Sequence, residues 1–172
     1  MNTDELKELF NGLLGDEFIA HFQYTIAAHT VRGTDFDTCK TEFAEHAKEE
    51  YEHAETLLDI MQEFKIPVYT TLKTLIDRSM SGYPRANFSN SKRLTNHHIQ
   101  GEQNAIDAYT KAIEILDDDK KFYGVVAQLK KILNDELKHK NDLEKVLSSI
   151  EDNVDESLVE NTTWFLSNNN RG

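Results

Sequence analysis

Residues 50–53 read Glu-Tyr-Glu-His and residues 136–139 read Glu-Leu-Lys-His, so an E-x-x-H pattern occurs twice in the chain. The residues around each copy are apolar at intervals of three and four, which predicts a helix with one buried face. The spacing within each copy places its Glu and its His on that same face. A charged side chain there must be paired or must bind something, because its desolvation is costly. The two copies therefore indicate a polar site inside a helical core.

Two further charged residues interrupt apolar faces elsewhere in the chain. Glu17 is followed by Tyr24, and Glu102 is followed at the same interval by Tyr109. These two pairs are 85 positions apart, and the two E-x-x-H copies are 86 positions apart. The matching intervals indicate an internal duplication of a helix pair. The predicted site residues are Glu17, Tyr24, Glu50, His53, Glu102, Tyr109, Glu136 and His139.

Four long amphipathic segments predict an all-α fold. The chain has only 7 Gly and 2 Pro, too few chain breakers for the many turns of a sandwich or barrel. Residues 66–89 form a connection long enough to run the length of a bundle, and residues 70–79 within it are predicted to be a short helix. The predicted segments are residues 3 to about 31, the corner at 33–35 to Pro67, a cap at 89–91 to the corner at 117–119, and from there to about 150.

The length of 172 residues is typical of one domain. We therefore expect a single domain over residues 1–172, with a four-helix bundle at about 3–150 and a C-terminal helical tail at 151–172.

Composition narrows the possible partners and compartment. The net charge of −12 argues against nucleic acid as a specific partner, because phosphate binding depends on clustered Lys and Arg. The chain has no run of about 20 apolar residues, so no membrane span is predicted. Its single cysteine, Cys39, cannot form an internal disulfide, and no export signal is visible at the start of the sequence. We expect a soluble protein of the cytoplasm.

Four carboxylates and two imidazoles that converge at mid-bundle form a ligand set for two divalent ions of iron or manganese. Four carboxylates also balance the charge of two such ions, whereas without metal they would repel one another. Glu50 and Glu136 are expected to bridge the two ions, while Glu17 and Glu102 each bind one. Carboxylate and imidazole ligands both suit iron.

At these residues, over positions 3 to about 150, the chain resembles the ferritin-like superfamily. It is most similar to bacterioferritin and to the Dps-like proteins that carry a bacterioferritin-type diiron site. The resemblance implies a ferritin-like bundle with two iron ions per subunit at the six ligand positions, manganese or zinc being possible substitutes. It also implies a ferroxidase, which oxidises Fe(II) with dioxygen or hydrogen peroxide, stores ferric mineral in a homo-oligomeric cage and protects against oxidative stress.

Three features depart from related patterns. Bacterioferritin binds haem through a Met directly after the Glu of its second helix, and here that residue is Tyr51, so no haem is expected. Rubrerythrin has a Cys-rich iron domain and a further Glu on its third helix, where this chain has one Cys and Ala105. Ordinary Dps proteins bind iron between two subunits through histidines of the first helix, and no such spacing is found here.

Two other functions are compatible with the same ligands. One is a diiron or dimanganese oxidase or peroxidase of the rubrerythrin type that forms no cage, and the other is an assembly protein whose metal ions are structural. An oxygenase of organic substrates needs an apolar channel beside its metals. The apolar faces here are expected to be filled by Phe10, Phe43, Ile106 and Leu143.

Four further residues near the predicted ligands have two interpretations each. Tyr24 and Tyr109 are either core tyrosines or hydrogen-bond donors to the ligand carboxylates, able also to yield an electron. His46 and His98 each precede a ligand Glu by one helical turn. They are either polar residues that cap the bundle or a relay that passes iron inward.

The connection between the second and third helices decides the predicted assembly. Its residues Leu72, Leu75 and Ile76 form an apolar face that would be exposed to solvent in an isolated bundle. The resemblance implies that 12-subunit shells use such a helix at their twofold contacts. A 12-subunit shell is therefore favoured over a 24-subunit shell, in which residues 154–166 would form a fifth helix. The apolar residues of the tail are expected to dock on the bundle or on a neighbouring subunit, and residues 168–172 to fray.

Overall fold

The computed structural model describes residues 2–82, 84 and 86–168, with side chains up to residue 150. Within these ranges the chain is helical and forms no strand, which confirms the predicted fold class. None of its described helices is both long enough and apolar enough to cross a membrane. The helices are α1 (Thr3–Thr30), α2 (Phe36–Glu63), α3 (Leu72–Arg78), α4 (Ser91–Leu116) and α5 (Tyr123–Asn168), with a 3₁₀ turn at Lys120–Phe122.

Local sequence signals set the helix starts where the periodicity predicts them. Asn2 caps α1 by accepting a hydrogen bond from the Glu5 amide, and the Glu5 side chain accepts one from the Asn2 amide. Asn90 caps α4 through a single hydrogen bond, which its side chain accepts from the Arg93 amide. The 3₁₀ turn before α5 is not apparent from the apolar periodicity.

The four long helices pack as two pairs. Short corners join α1 to α2 and α4 to α5, so the partners in each pair run antiparallel. The connection between the pairs carries α3, which lies against α1. The predicted short helix at 70–79 is thus confirmed with slightly tighter bounds.

Asn11 fixes the crossover onto α1. It is fully buried, and its amide nitrogen donates to the carbonyl of Pro67 while its side-chain oxygen accepts from the Tyr69 amide. Two glycines of α1 then let the crossover approach closely. A Cβ atom built at Gly15 would lie 2.5 Å from the Leu75 carbonyl oxygen, and one at Gly12 would lie 2.8 Å from the Met80 side chain.

Replacing Gly15 by Ala is expected to destabilise the fold by about 1–3 kcal/mol, because the new methyl group meets backbone rather than a movable side chain. Urea denaturation measures this loss. Gly124→Ala is the matched control: Gly124 is exposed in a helix with open space around it, so Ala should be neutral or stabilising by up to about 1 kcal/mol. Equal stability of the two variants would contradict the close approach of α3.

The apolar core is divided into two clusters. One cluster contains Phe10, Leu57 and Leu129, and the other contains Phe43, Leu94 and Leu143. A layer of buried charged side chains lies between them. The charged side chains of this layer are Glu17, Glu50, His53, Glu102, Glu136 and His139.

For the C-terminal segment, the structure describes the backbone to residue 168 and the side chains to residue 150. α5 continues through residue 150 to Asn168 without a break, so the tail is helical as expected. The expected docking of its apolar side chains falls outside the side chains that the structure describes, and most of the expected frayed end, residues 169–172, falls outside the described residues altogether.

Candidate metal centre

The six predicted ligand residues come together at mid-bundle from all four long helices. Glu17 lies on α1, Glu50 and His53 on α2, Glu102 on α4, and Glu136 and His139 on α5. Each is at most 6% exposed. Their side chains therefore face one another in an interior from which bulk water is excluded.

One half of the centre is organised around His53. Its Nδ1 atom lies 3.1 Å from Glu136 Oε1, 3.4 Å from Glu50 Oε2 and 3.6 Å from Glu17 Oε2. One imidazole nitrogen thus faces three carboxylates, each supplied by a different helix.

The other half is organised around His139. Its Nδ1 atom lies 3.4 Å from Glu50 Oε1, 3.5 Å from Glu136 Oε2 and 3.9 Å from Glu102 Oε2. Glu50 and Glu136 therefore present one oxygen to each half, whereas Glu17 and Glu102 each belong to one half.

Each of the two predicted tyrosines makes a hydrogen bond across the centre to a glutamate on another helix. The Tyr24 hydroxyl on α1 donates a hydrogen bond to Glu102 on α4, and the Tyr109 hydroxyl on α4 donates one to Glu17 on α1. Both tyrosines are at most 2% exposed. Of the two interpretations, the structure supports hydrogen-bond donation to the carboxylates, and the symmetry of the two contacts follows the internal duplication.

Two further acids support the histidines, and our sequence analysis missed them. Asp135 Oδ2 lies 3.5 Å from Nε2 of His53, and the Glu49 carboxylate accepts a hydrogen bond from Nε2 of His139. Such outer carboxylates fix the orientation of a histidine and raise its basicity. A signal was present, since an acid directly precedes each of Glu50 and Glu136, again 86 positions apart.

Burial and mutual contacts determine where protons reside in the centre. Burial raises the pKa of Glu17 and Glu102 well above the ordinary value, and the carboxylate of Glu50 adds to the rise. Burial acts to lower the pKa of both histidines, but their carboxylate contacts outweigh it. These contacts raise the pKa of His53 and bring that of His139 to about 11.

The pKa of Glu50 moves the other way. Burial acts to raise it, but contacts with His139 and His53 outweigh burial and lower it. Burial and nearby carboxylates raise the pKa of Tyr24 and Tyr109, so both phenols keep their protons and remain donors. Without metal, these shifts favour protons on the two outer glutamates and on both histidines, and they favour the charged form of Glu50.

The atoms that face the middle of the centre are suited to binding cations. Buried polar atoms rarely lack a partner, yet several here have no hydrogen bond of good geometry. They are Glu17 Oε2, Glu50 Oε1, His53 Nδ1, both oxygens of Glu136 and His139 Nδ1.

The ligand atoms form two overlapping groups within which all atoms lie within 4.8 Å of one another. The two groups share Glu50 and Glu136, and the bridging role predicted for these two residues stays a prediction. The first group is Glu17, Glu50, His53 and Glu136, and the second is Glu50, Glu102, Glu136 and His139.

His46 and His98 lie inside the bundle and do not cap it. His98 stacks on the Tyr24 ring with centroids 3.9 Å apart, and His46 stacks on His139 at 4.2 Å. Burial lowers the pKa of His46 to about 4 and that of His98 to about 3, so both rings are neutral. The interpretation as polar bundle-end residues is therefore wrong.

Two openings lead towards the centre. A cavity of about 50 Å³ between α1, α4 and the crossover borders Glu17, Glu50 and Glu102. A wider hollow of about 400 Å³ between α2 and α5 borders His53 and is lined mainly by polar side chains, among them Glu52 and Asp135.

A comparison with models of protein families identifies the family of this chain. Residues 7–153 match the model of the ferritin-like domain. The chain belongs to the ferritin-like family. A search of curated protein sequences gives no significant match.

Solved ferritin-like structures share this fold over most of the chain. A dodecameric thioferritin, the bacterioferritin-related protein of Bacteroides fragilis, is 27% identical, with 91% of this chain and 92% of that chain covered and a TM-score of 0.84. Dps of Staphylococcus aureus is 16% identical, with coverages of 85% and 97% and a TM-score of 0.77. A ferritin-like diiron-carboxylate protein of Bacillus anthracis is 22% identical, with coverages of 86% and 99% and a TM-score of 0.70.

Proposed function

We propose that this protein is a ferroxidase, an oxidoreductase that oxidises Fe(II) and stores the ferric product in a homo-oligomeric cage. The observation that carries the proposal is the pair of buried ligand groups that share Glu50 and Glu136. Two iron ions held this way supply the redox chemistry. Carboxylate oxygens retain iron in both oxidation states, and the set of four carboxylates balances two divalent ions.

The cavity that borders Glu17, Glu50 and Glu102 favours a small oxidant. About 50 Å³ holds a few water molecules, dioxygen or hydrogen peroxide, but not an organic substrate. The wider hollow beside His53 is lined mainly by polar side chains rather than by the apolar ones that suit an organic substrate. In the overall reaction two ferrous ions each give up one electron. Hydrogen peroxide takes up both electrons and two protons to form two waters, or dioxygen takes them up to form hydrogen peroxide.

The surrounding residues prepare the centre for this reaction. Tyr24 and Tyr109 hold the outer glutamates by hydrogen bonds, and Glu49 and Asp135 orient the two histidines. The acids around the hollow between α2 and α5 attract cations towards His53. In the cytoplasm such an activity would remove ferrous iron, and with peroxide as the oxidant it would remove peroxide as well and so limit oxidative damage.

Metal loading tests the proposed function. Apoprotein treated with Fe(II) without oxygen and then with peroxide or dioxygen is expected to bind two irons per chain and to form ferric product faster than protein-free solution. Metal analysis and absorbance measure both. One zinc ion per chain, or no iron after loading, would contradict the proposal, whereas bound iron without oxidation would favour a structural role for the metals.

We also propose a 12-subunit shell in which α3 lies at a twofold contact. Leu75 of α3 is buried against the bundle, but Leu72 is 61% exposed and Phe22 of α1 is 53% exposed. These two residues border an apolar groove of about 340 Å³ between α1 and α3. Such a surface favours self-association, and the related thioferritin of Bacteroides fragilis is a dodecamer.

Light scattering after size-exclusion chromatography is expected to give a mass near 12 chains of 19.8 kDa. The double variant F22K/L72K should form smaller species, because lysines in the apolar groove resist burial. Leu137→Lys is the matched control, since Leu137 is 48% exposed on α5, a helix that packs on α4 and α2, whereas α3 packs on α1. A mass near 24 chains, or a persistent dimer of the wild type, would refute the dodecamer, and the dimer would favour the oxidase without a cage.

A further inference from the structure

His46 has the same arrangement as the two ligand histidines. It lies on α2 one turn before Glu50 and is 2% exposed. Its Nε2 atom faces the Glu42 carboxylate at 3.7 Å, and its Nδ1 atom is buried with no hydrogen-bond partner. His53 and His139 likewise have an acid on Nε2 and a buried, unpartnered Nδ1. This shared pattern points to His46 as a metal ligand.

The neighbours of His46 complete a third ligand group. One ligand atom from each of His46, Glu102 and His139 lies within 4.8 Å of the others, and all three residues are buried. This third group shares Glu102 and His139 with the second group of the centre, which we call the bridged group of the Glu102 half. It does not include Glu50 or Glu136. Since Nε2 of His139 is hydrogen-bonded to Glu49, Nδ1 is the atom left to bind metal. One nitrogen binds one ion at a time, so an ion occupies either this group or the bridged one.

On the basis of the proposed function, we propose that the ion on the Glu102 half has two overlapping positions. One is the bridged position, which includes Glu50 and Glu136. The other is a displaced position, in which His46 turns out of its stack on His139 and joins Glu102 and His139, while the bridging carboxylates are released.

The internal duplication shows that His46 is not required by the architecture. The repeat-related residue 86 positions later is Ile132, which is buried at 2% exposure. An apolar side chain therefore fills the corresponding place on the Glu17 half. The two halves of the centre thus differ, and only the Glu102 half has the displaced position among the residues that the structure describes.

The ligand types of the two positions predict different preferences. The displaced position offers two imidazoles and one carboxylate, which suit divalent iron, cobalt or zinc. The bridged position offers three carboxylates and one imidazole, which suit the harder ferric ion. The displaced position therefore holds a divalent ion on the Glu102 half before oxidation. The Glu102 half is then the one at which metal ions enter and leave the centre.

Titration of the apoprotein with Co(II) tests the proposal without relying on activity. The wild type is expected to bind two ions per chain with unequal affinities. His46→Leu should weaken one site by about tenfold or more and change the visible spectrum of the bound cobalt. His97→Leu is the control, because His97 is a half-buried histidine of α4 that belongs to no ligand group. Among the residues that the structure describes, its ring and hydrogen-bond contacts include neither Tyr24 nor Glu102. This control should keep both affinities.

Two results would overturn the inference: a His46→Leu variant with wild-type affinities and spectrum, or an equal loss at both sites. Failure of the wild type to bind cobalt at all would refute the proposed function as well, so the two failures are distinct. Thermal melting of the apoprotein checks folding. If His46→Leu does not fold, His46→Gln is used, and the same loss at one site is expected because an amide is a poor ligand.

Discussion

Substitution of Glu136 by Ala is expected to lower the rate of ferrous oxidation by at least about 100-fold, since even an outer partner of a metal ligand contributes 10–100-fold. Glu136 is fully buried, and its two oxygens face His53 and His139 separately. Its removal therefore affects both halves of the centre. Stopped-flow absorbance of the ferric product, together with metal analysis, measures the loss.

A variant that affects only one half of the centre can be compared with Glu136→Ala, which affects both. His139→Ala should remove one ion and leave the Glu17 half able to bind the other, because His53 and Glu17 do not depend on His139. Glu55→Ala is the control, since Glu55 is an exposed acid on the same helix as Glu50. Oxidation that survives in Glu136→Ala at the wild-type rate would place the reaction elsewhere in the protein.

The second large effect is the release of protons on metal binding. In the metal-free centre the raised pKa values favour protons on Glu17, Glu102, His53 and His139. Metal ligands must be deprotonated, so two divalent ions are expected to displace about four protons per chain near neutral pH. The charge of the centre is then conserved, because two divalent ions replace four protons.

The sign of the pH dependence follows from the same groups. Each pKa is raised, so the protonated form competes with metal, and affinity should rise steeply as the pH increases through the neutral range. Titration of apoprotein with Co(II) in weakly buffered solution with a pH indicator measures the release. Glu17→Gln should release fewer protons, since an amide carries none to displace. Metal binding without proton release would show that the centre is already deprotonated.

Periodicity alone was sufficient for most of the fold. Apolar residues at intervals of three and four, with breaks at Gly33 and Pro67, defined the long helices, because helix burial depends on one face of the local sequence. Exact ends depended on capping contacts such as those of Asn2. The turn at Lys120–Phe122 has no periodic signal, since it is shorter than one apolar repeat.

The close approach of the crossover to α1 could not be predicted from the periodicity. Gly12 and Gly15 look like ordinary helix-weakening residues in the sequence, and only the packing of α3 gives them a reason. Likewise, the sequence placed His46 and His98 one turn from ligand glutamates, but it could not show whether their rings lie at the bundle end or inside it. Ring contacts depend on which helices are neighbours.

By itself, the sequence determined the all-α class and singled out the six charged residues that meet at mid-bundle, because duplicated spacing and charge on an apolar face are local properties of a helix. Their role as ligands remains a prediction for metal analysis. Only the tertiary structure decided which tyrosine holds which glutamate, that Glu49 and Asp135 support the histidines, and that His46 lies beside the Glu102 half. Those contacts join different helices, so their geometry depends on how the helix pairs are rotated and packed, which no interval along the chain records.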